Sequence, residues 1–157
     1  MWIAAGFDKR EIVKLLLEYG ANVNILNNAG SHMVQKVIHA IQSGEDLYAV
    51  LDIILPYVDE EHINYQDKIN GQTLLHSAIK LGDLEIVKKL LDMGADLYML
   101  DNNDKYPLDM SFRPEIIDYV RDKVLNDPQS KFFKNFLQCF SIISFLMRNS
   151  HCQKVWC

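Results

Sequence analysis

The sequence predicts an all-α fold: a solenoid of about four helix-turn-helix units followed by a C-terminal helix. Three observations predict it. Glu11 to Asn24, EIVKLLLEYGANVN, returns as Glu85 to Tyr98, EIVKKLLDMGADLY, with EIVK, the central Leu-Leu and Gly-Ala at the same places. Gly20 and Gly94 stop the two copies at the same point, where a glycine suits the left-handed residue past a helix end. Asp104 follows Gly71 by 33 residues, the length of one turn plus two short helices.

Taken in order, residues 1–29 form a partial unit. Ile3, Ala4 and Ala5 read as the end of a first helix whose start and preceding turn are missing, so the chain begins inside a repeat. Its second helix is amphipathic through Ile12, Val13, Leu16 and Leu17. Residues 30–69 form a stretched unit: Gly30 to Gly71 spans 41 residues, with the excess expected before Ile38-His39 and again around Tyr57 to Glu61. Gly30-Ser31-His32-Met33 falls in phase with a repeat turn and is read as natural sequence.

Residues 70–103 form a regular unit. Leu74, Leu75, Ala78 and Ile79 mark its first helix, and Ile86, Val87, Leu90 and Leu91 its second. Residues 104–127 form a shortened terminal unit in which Pro107 suits a first helical turn, about one turn of the first helix is lost, and Pro114 opens the second. A shortened last repeat reads as a cap. Residues 128–157 are a basic, apolar tail.

Charge divides the chain in the same place. Met1 to Asp127 holds 12 basic and 21 acidic residues, whereas Lys131, Lys134, Arg148 and Lys154 stand in the tail without an acid. A formal charge of −5 argues against nucleic acid, because binders of the phosphate backbone need clustered bases to release counterions. Cys139, Cys152 and Cys157 are odd in number and lack zinc spacing, which fits a reducing compartment such as the cytoplasm. No signal peptide, Asn-x-Ser/Thr sequon or prenylation pattern occurs.

The regular unit, Asn70 to Asn103, with its turn, GQTLLHSAI and EIVKKLLDMGADLY, resembles the ankyrin-repeat family, and the likeness extends from Met1 to about Asn126. The resemblance implies a protein-binding solenoid that uses the fingertips of its turns and the concave face of its first helices. The matching places near the first-helix ends are Gly6 and Phe7, Ser43 and Gly44, and Lys80 and Leu81. Those at the fingers are Asn28, Ala29 and Ser31, then Lys68, Ile69, Asn70 and Gln72, then Asn102, Asn103 and Lys105. Phe7, Ile69 and Leu81 are the apolar anchors an interface would use. The family's histidine, which hydrogen-bonds the neighbouring turn, corresponds to His76 and, in the stretched unit, to His39, while Asp109 replaces it in the last.

Within the family, the stretched unit followed by HINYQDKINGQTLLHSAI is similar to the inhibitor-of-NF-κB (IκB) proteins and their viral counterparts. That likeness implies a Rel/NF-κB dimer as partner and a host-directed role in the cytoplasm or nucleus. The alternative is a scaffold or effector domain for another protein, and a third reading is an adaptor attached to a membrane surface through residues 131–149.

No chemistry competes with these readings. No GxxxxGK[ST], GxSxG, HExxH or GxGxxG is present, so no catalytic residue, cofactor, metal or small-molecule substrate is expected. Asp59, Glu60 and Glu61 read as a solvated loop. In the tail, Phe132, Phe136, Phe140, Ile143 and Met147 share one helical face, and the uncharged stretch Phe136 to Met147 is too short to span a bilayer. A helix packed over the last repeat is the first reading of that segment, and a surface anchor the second.

Overall fold

In a computed structural model the described residues are 10–126. The expectations for Phe7, for the partial first helix and for the tail lie outside them. The helices are α1 (Arg10–Glu18), α2 (Met33–Gln42), α3 (Tyr48–Ile54), α4 (Glu60–Ile63), α5 (Leu74–Leu81), α6 (Leu84–Asp92) and α7 (Pro114–Asn126). Single 3-10 turns occupy Leu55–Tyr57 and Pro107–Met110. Among the described residues the one strand-like pairing is a bridge between Leu26 and His32.

These helices form two layers because each presents one apolar stripe. First helices α2 and α5 and the Pro107–Met110 turn pack side by side, burying Val34, Val37 and Ile38, then Leu75, Ala78 and Ile79, then Leu108. Second helices α1, α3, α6 and α7 cover them with Val13, Val50, Leu51, Ile54, Val87, Leu90, Ile116 and Val120. Each Leu or Ile so buried contributes about 1.5–3 kcal/mol, which is where the stability of a short helix comes from once propensity alone fails it.

Local signals set the boundaries. Thr73 caps α5 by accepting from the His76 amide, and the His76 ring returns the bond to the Thr73 amide. Asp83 caps α6 through the amides of Glu85 and Ile86. Gly20 and Gly94 follow their helices at φ 78° and 90°, as their sequence position requires. Pro107 and Pro114 both open helical turns, and the last unit does keep a single 3-10 turn for a first helix.

The stretched unit departs from its sequence reading in where its extra residues lie and in the form of Asp59 to Glu61. Gly30 and Gly71 are equivalent finger residues, with φ 71° and 70°, so α2 begins at Met33 directly after the finger and no excess precedes Ile38. Aligning the finger bonds Gly30 to Asn27, Gly71 to Asp67 and Asp104 to Asp101 shows where the insertion lies. Part of it lengthens α2 and the loop before α3. Part is helix α4, capped by the Asp59 carboxylate on the His62 amide, so Asp59-Glu60-Glu61 is a helix start and not an open loop. One residue goes into the finger itself: Asp67 to Gln72 is one longer than Asn27 to Ser31 or Asp101 to Lys105.

Two repeating rungs tie unit to unit. Asn24 donates to the Tyr57 carbonyl and accepts from the Asp59 amide, and Asn64 does the same with Gly94 and Asp96. Tyr98 stands at that position in the regular unit, and an aromatic ring has no amide to make the bridge.

Candidate functional site

The fingers are built on aspartates. Asp67 Oδ1 accepts from the amides of Ile69 and Asn70, and Asp101 Oδ1 from those of Asn103 and Lys105. Both carboxylates are buried and thereby committed to holding their own turns. Adjacent fingers touch: the Asn102 amide donates to the Asn70 carbonyl at 2.9 Å, and the Lys68 stem lies against Gly30. The row of turns is therefore one continuous edge.

His76 performs the expected linking role. Because Nδ1 accepts from the Thr73 amide, Nε2 carries the proton and donates to the Lys105 carbonyl at 3.1 Å in the next finger. Burial holds its pKa below the usual histidine value, in keeping with a neutral ring.

His39 does not repeat this, contrary to the sequence expectation. Counting from the finger glycines, Gln35 stands where His76 does, and its Nε2 donates to the Asp67 carboxylate at 2.8 Å and the Gln72 carbonyl at 3.3 Å. His39 is instead the counterpart of Lys80, half-buried, with Nε2 at 3.3 Å from Ser77 Oγ. Burial, then the charges of Lys36 and Lys80, lower its pKa, against a smaller opposing effect of Asp67. Asp109 does take the histidine position in the last unit and caps it by accepting from the Tyr106 amide.

Most of the expected contact residues lie on the surface. Asn28, Ala29, Lys68, Ile69, Asn102, Asn103 and Lys105 are exposed along the fingers, with Asn70 half-buried. Ser43 and Lys80 are exposed near the first-helix ends and Leu81 is half-buried. Two are corrected. Ser31 and Gln72 are 2% and 7% exposed: each is the residue by which its finger turns into the first helix, and Gln72 Nε2 points inward to the Asp101 carboxylate. Neither offers a side chain to a partner.

Ile69, whose amide bonds the finger carboxylate as those of Ala29 and Asn103 bond their finger residues, is 65% exposed, although its amide and carbonyl are both engaged. Sequence reasoning passed over Ile25, Tyr57, Leu100 and Phe112, which are also exposed. Ile25 and Leu100 lie beside the fingers, two residues before Asn27 and one before Asp101, a spacing visible in the sequence.

A second cluster has no counterpart in the sequence reading. His32 caps α2 by accepting from the Val34 amide, and its Nε2 is buried without a hydrogen-bond partner. The His62 ring lies 5.7 Å away and bonds Asp59 at 2.7 Å. Burial, then the His62 charge, lower the His32 pKa to about 4. Among the described residues no three His, Cys, Asp or Glu side chains are placed to hold a metal ion, and no helix is long and apolar enough to cross a membrane.

The family model for ankyrin repeats in three copies matches residues 1–101 and again 37–123. A protein of Acanthamoeba polyphaga mimivirus named as an ankyrin repeat protein is 26% identical over 120 residues, covering 76% of this chain and 72% of its own. With turn, capped first helix, second helix and glycine stop recurring in that order and linked finger to finger, the chain belongs to the ankyrin-repeat family, whose members are protein-protein interaction modules.

Proposed function

We propose that this chain binds a protein partner across the face made by its fingers and first helices, with Ile69 and Leu81 as apolar anchors. The exposure of Ile69 carries the reading. Ala29 and Asn103 take the same place in the other fingers, so the turn closes without an isoleucine side chain, and one left in water has no part in holding it. Asn28, Asn70, Asn102 and Asn103 supply polar contacts along the same edge, Ala29 a small apolar one, and Ser43 marks the end of α2. Ankyrin-repeat modules hold partners, and the role read here is to hold and position rather than transform.

The test is capture. Tagged protein is incubated with cell lysate and retained proteins are identified by mass spectrometry, with Ile69→Asp in parallel. A partner retained by the native chain and lost by the variant supports the reading, and equal retention by both contradicts it.

A narrower reading follows the IκB likeness: the chain holds a Rel-homology dimer and keeps it inactive. The favouring observation is the stretched second unit running into the long Asp67–Gln72 finger, the segment that carries the likeness, and a viral relative accords with its host-directed form. Submicromolar binding to a purified Rel dimer, measured by titration calorimetry, is the expected result. Weak retention no better than that of unrelated proteins would leave the scaffold reading standing alone.

A further inference from the structure

We propose that the finger and first-helix face takes an acidic, extended segment of another protein, with a bulky apolar side chain seated against Ile69. This deepens the protein-binding reading above and rests on it. What carries it is the sorting of positive charge.

On the second helices, Lys14, Lys88, Lys89, Arg121 and Lys123 each meet a carboxylate at 2.6 to 3.0 Å: Glu11, Glu85, Asp52, Asp118 and Asp92. On the opposite layer, Lys36, Lys68, Lys80 and Lys105 are all exposed, and among the described residues no carboxylate lies within ion-pair distance of any of them. Acids outnumber bases 21 to 12 from Met1 to Asp127, so four unpaired lysines on one face run against the composition.

The carboxylates of that face are already engaged or peripheral. Asp67 and Asp101 are buried under the finger amides, and Asp109 caps the last turn. Exposed Asp104 sits at the third fingertip, and Glu45 and Asp46 lie in the loop past the end of α2. The His39 pKa is lowered first by burial and then by Lys36 and Lys80, so its ring lies within reach of both charges.

Spacing favours an extended chain. Adjacent helices pack about 8–10 Å apart, and an extended peptide advances about 3.3 Å per residue, so every third residue meets the next unit. Carboxylates at that interval would follow Lys36 to Lys80 across the helices, or Lys68 to Lys105 across the fingers. The chain's own residues 128–157 carry four bases and no acid, so they hold no acidic side chain to offer this face.

The experiment is fluorescence anisotropy with a short labelled peptide of repeated Glu-Glu-Leu. The controls are Lys-Lys-Leu, Glu-Glu-Ser and a short single-stranded DNA. Binding of Glu-Glu-Leu should exceed all three and fall roughly tenfold or more between about 50 and about 300 mM NaCl. Lys36→Glu with Lys80→Glu should weaken it by roughly tenfold or more, and the gentler Lys36→Gln with Lys80→Gln by less, each checked for an unchanged melt. Lys89→Glu with Lys123→Glu changes the net charge equally on the other layer and should bind like the native chain.

The inference is overturned if the Lys36 and Lys80 variants bind as the native chain does, if both double variants lose binding alike, or if Lys-Lys-Leu or the DNA binds as tightly. If Glu-Glu-Leu fails while a lysate partner still depends on Ile69, the acidic chemistry is wrong and the protein-binding reading survives. If Ile69 has no effect on that partner, the reading beneath it falls as well.

Discussion

Gln35 and His76, different residues 41 positions apart, do the same work: each donates a side-chain N–H to the carbonyl of its counterpart residue in the next finger, Gln72 for one and Lys105 for the other. Both are buried, so losing either leaves a finger carbonyl without its bond and a gap beneath the turn. Gln35→Leu should cost about 1–3 kcal/mol, because the Asp67 carboxylate also loses a donor. His76→Leu, which additionally strands the Thr73 amide, should cost at least as much. Urea unfolding measures both. A loss below about 0.5 kcal/mol for either would show that the rung does not hold the units together.

Stability should fall on mild acidification. His32 titrates at about 4 in the folded chain and near 6.5 when unfolded, and burial also lowers His39 and His76. Between these values the unfolded chain binds more protons. The contribution is therefore complete above about pH 6.5 and is lost as the pH drops toward about 4, on the order of 2–3 kcal/mol for His32 alone. His32→Asn keeps a helix cap and cannot titrate, so its stability should vary less over that window. An undiminished slope would remove His32 as the cause.

Gly71→Ala should destabilise more than Gly94→Ala. Both residues have positive φ, which costs a side chain about 1–2 kcal/mol. At Gly71 an added Cβ would also lie 2.9 Å from the Asn102 backbone nitrogen, whereas at Gly94 it meets nothing. The added steric cost falls on the contact between the second and third fingers. Equal melting temperatures for the two variants would mean that the fingers are not locked together.

The repeat phase, the glycine stops, the role of His76 and the shortened last unit were all legible, because each follows from short-range patterns that one local interaction enforces. The misassignment of His39 has a definite cause. Residue type points to His39, whereas Gly30 to Gln35 reproduces the interval from Gly71 to His76, and a glutamine amide reaches the equivalent carbonyl. Ser31 and Gln72 adjoin the turn and so resemble fingertip residues in the sequence, but whether a residue beside a turn faces in or out depends on the neighbouring unit. The His32–His62 contact was not legible, since helix α4, an insertion with no repeat counterpart, brings His62 there.

The central claim is that the finger and first-helix face binds while the second helices hold the fold, and a paired comparison of melting and retention tests it most directly. Ile69→Asp with Leu81→Asp changes an exposed and a half-buried residue, whereas Leu90→Asp places a carboxylate at a position 0% exposed. The account predicts that the double variant melts within a few degrees of the native chain and loses the partner, by roughly 2–5 kcal/mol of binding, while Leu90→Asp is unfolded. A double variant that folds and retains the partner at native strength would contradict it.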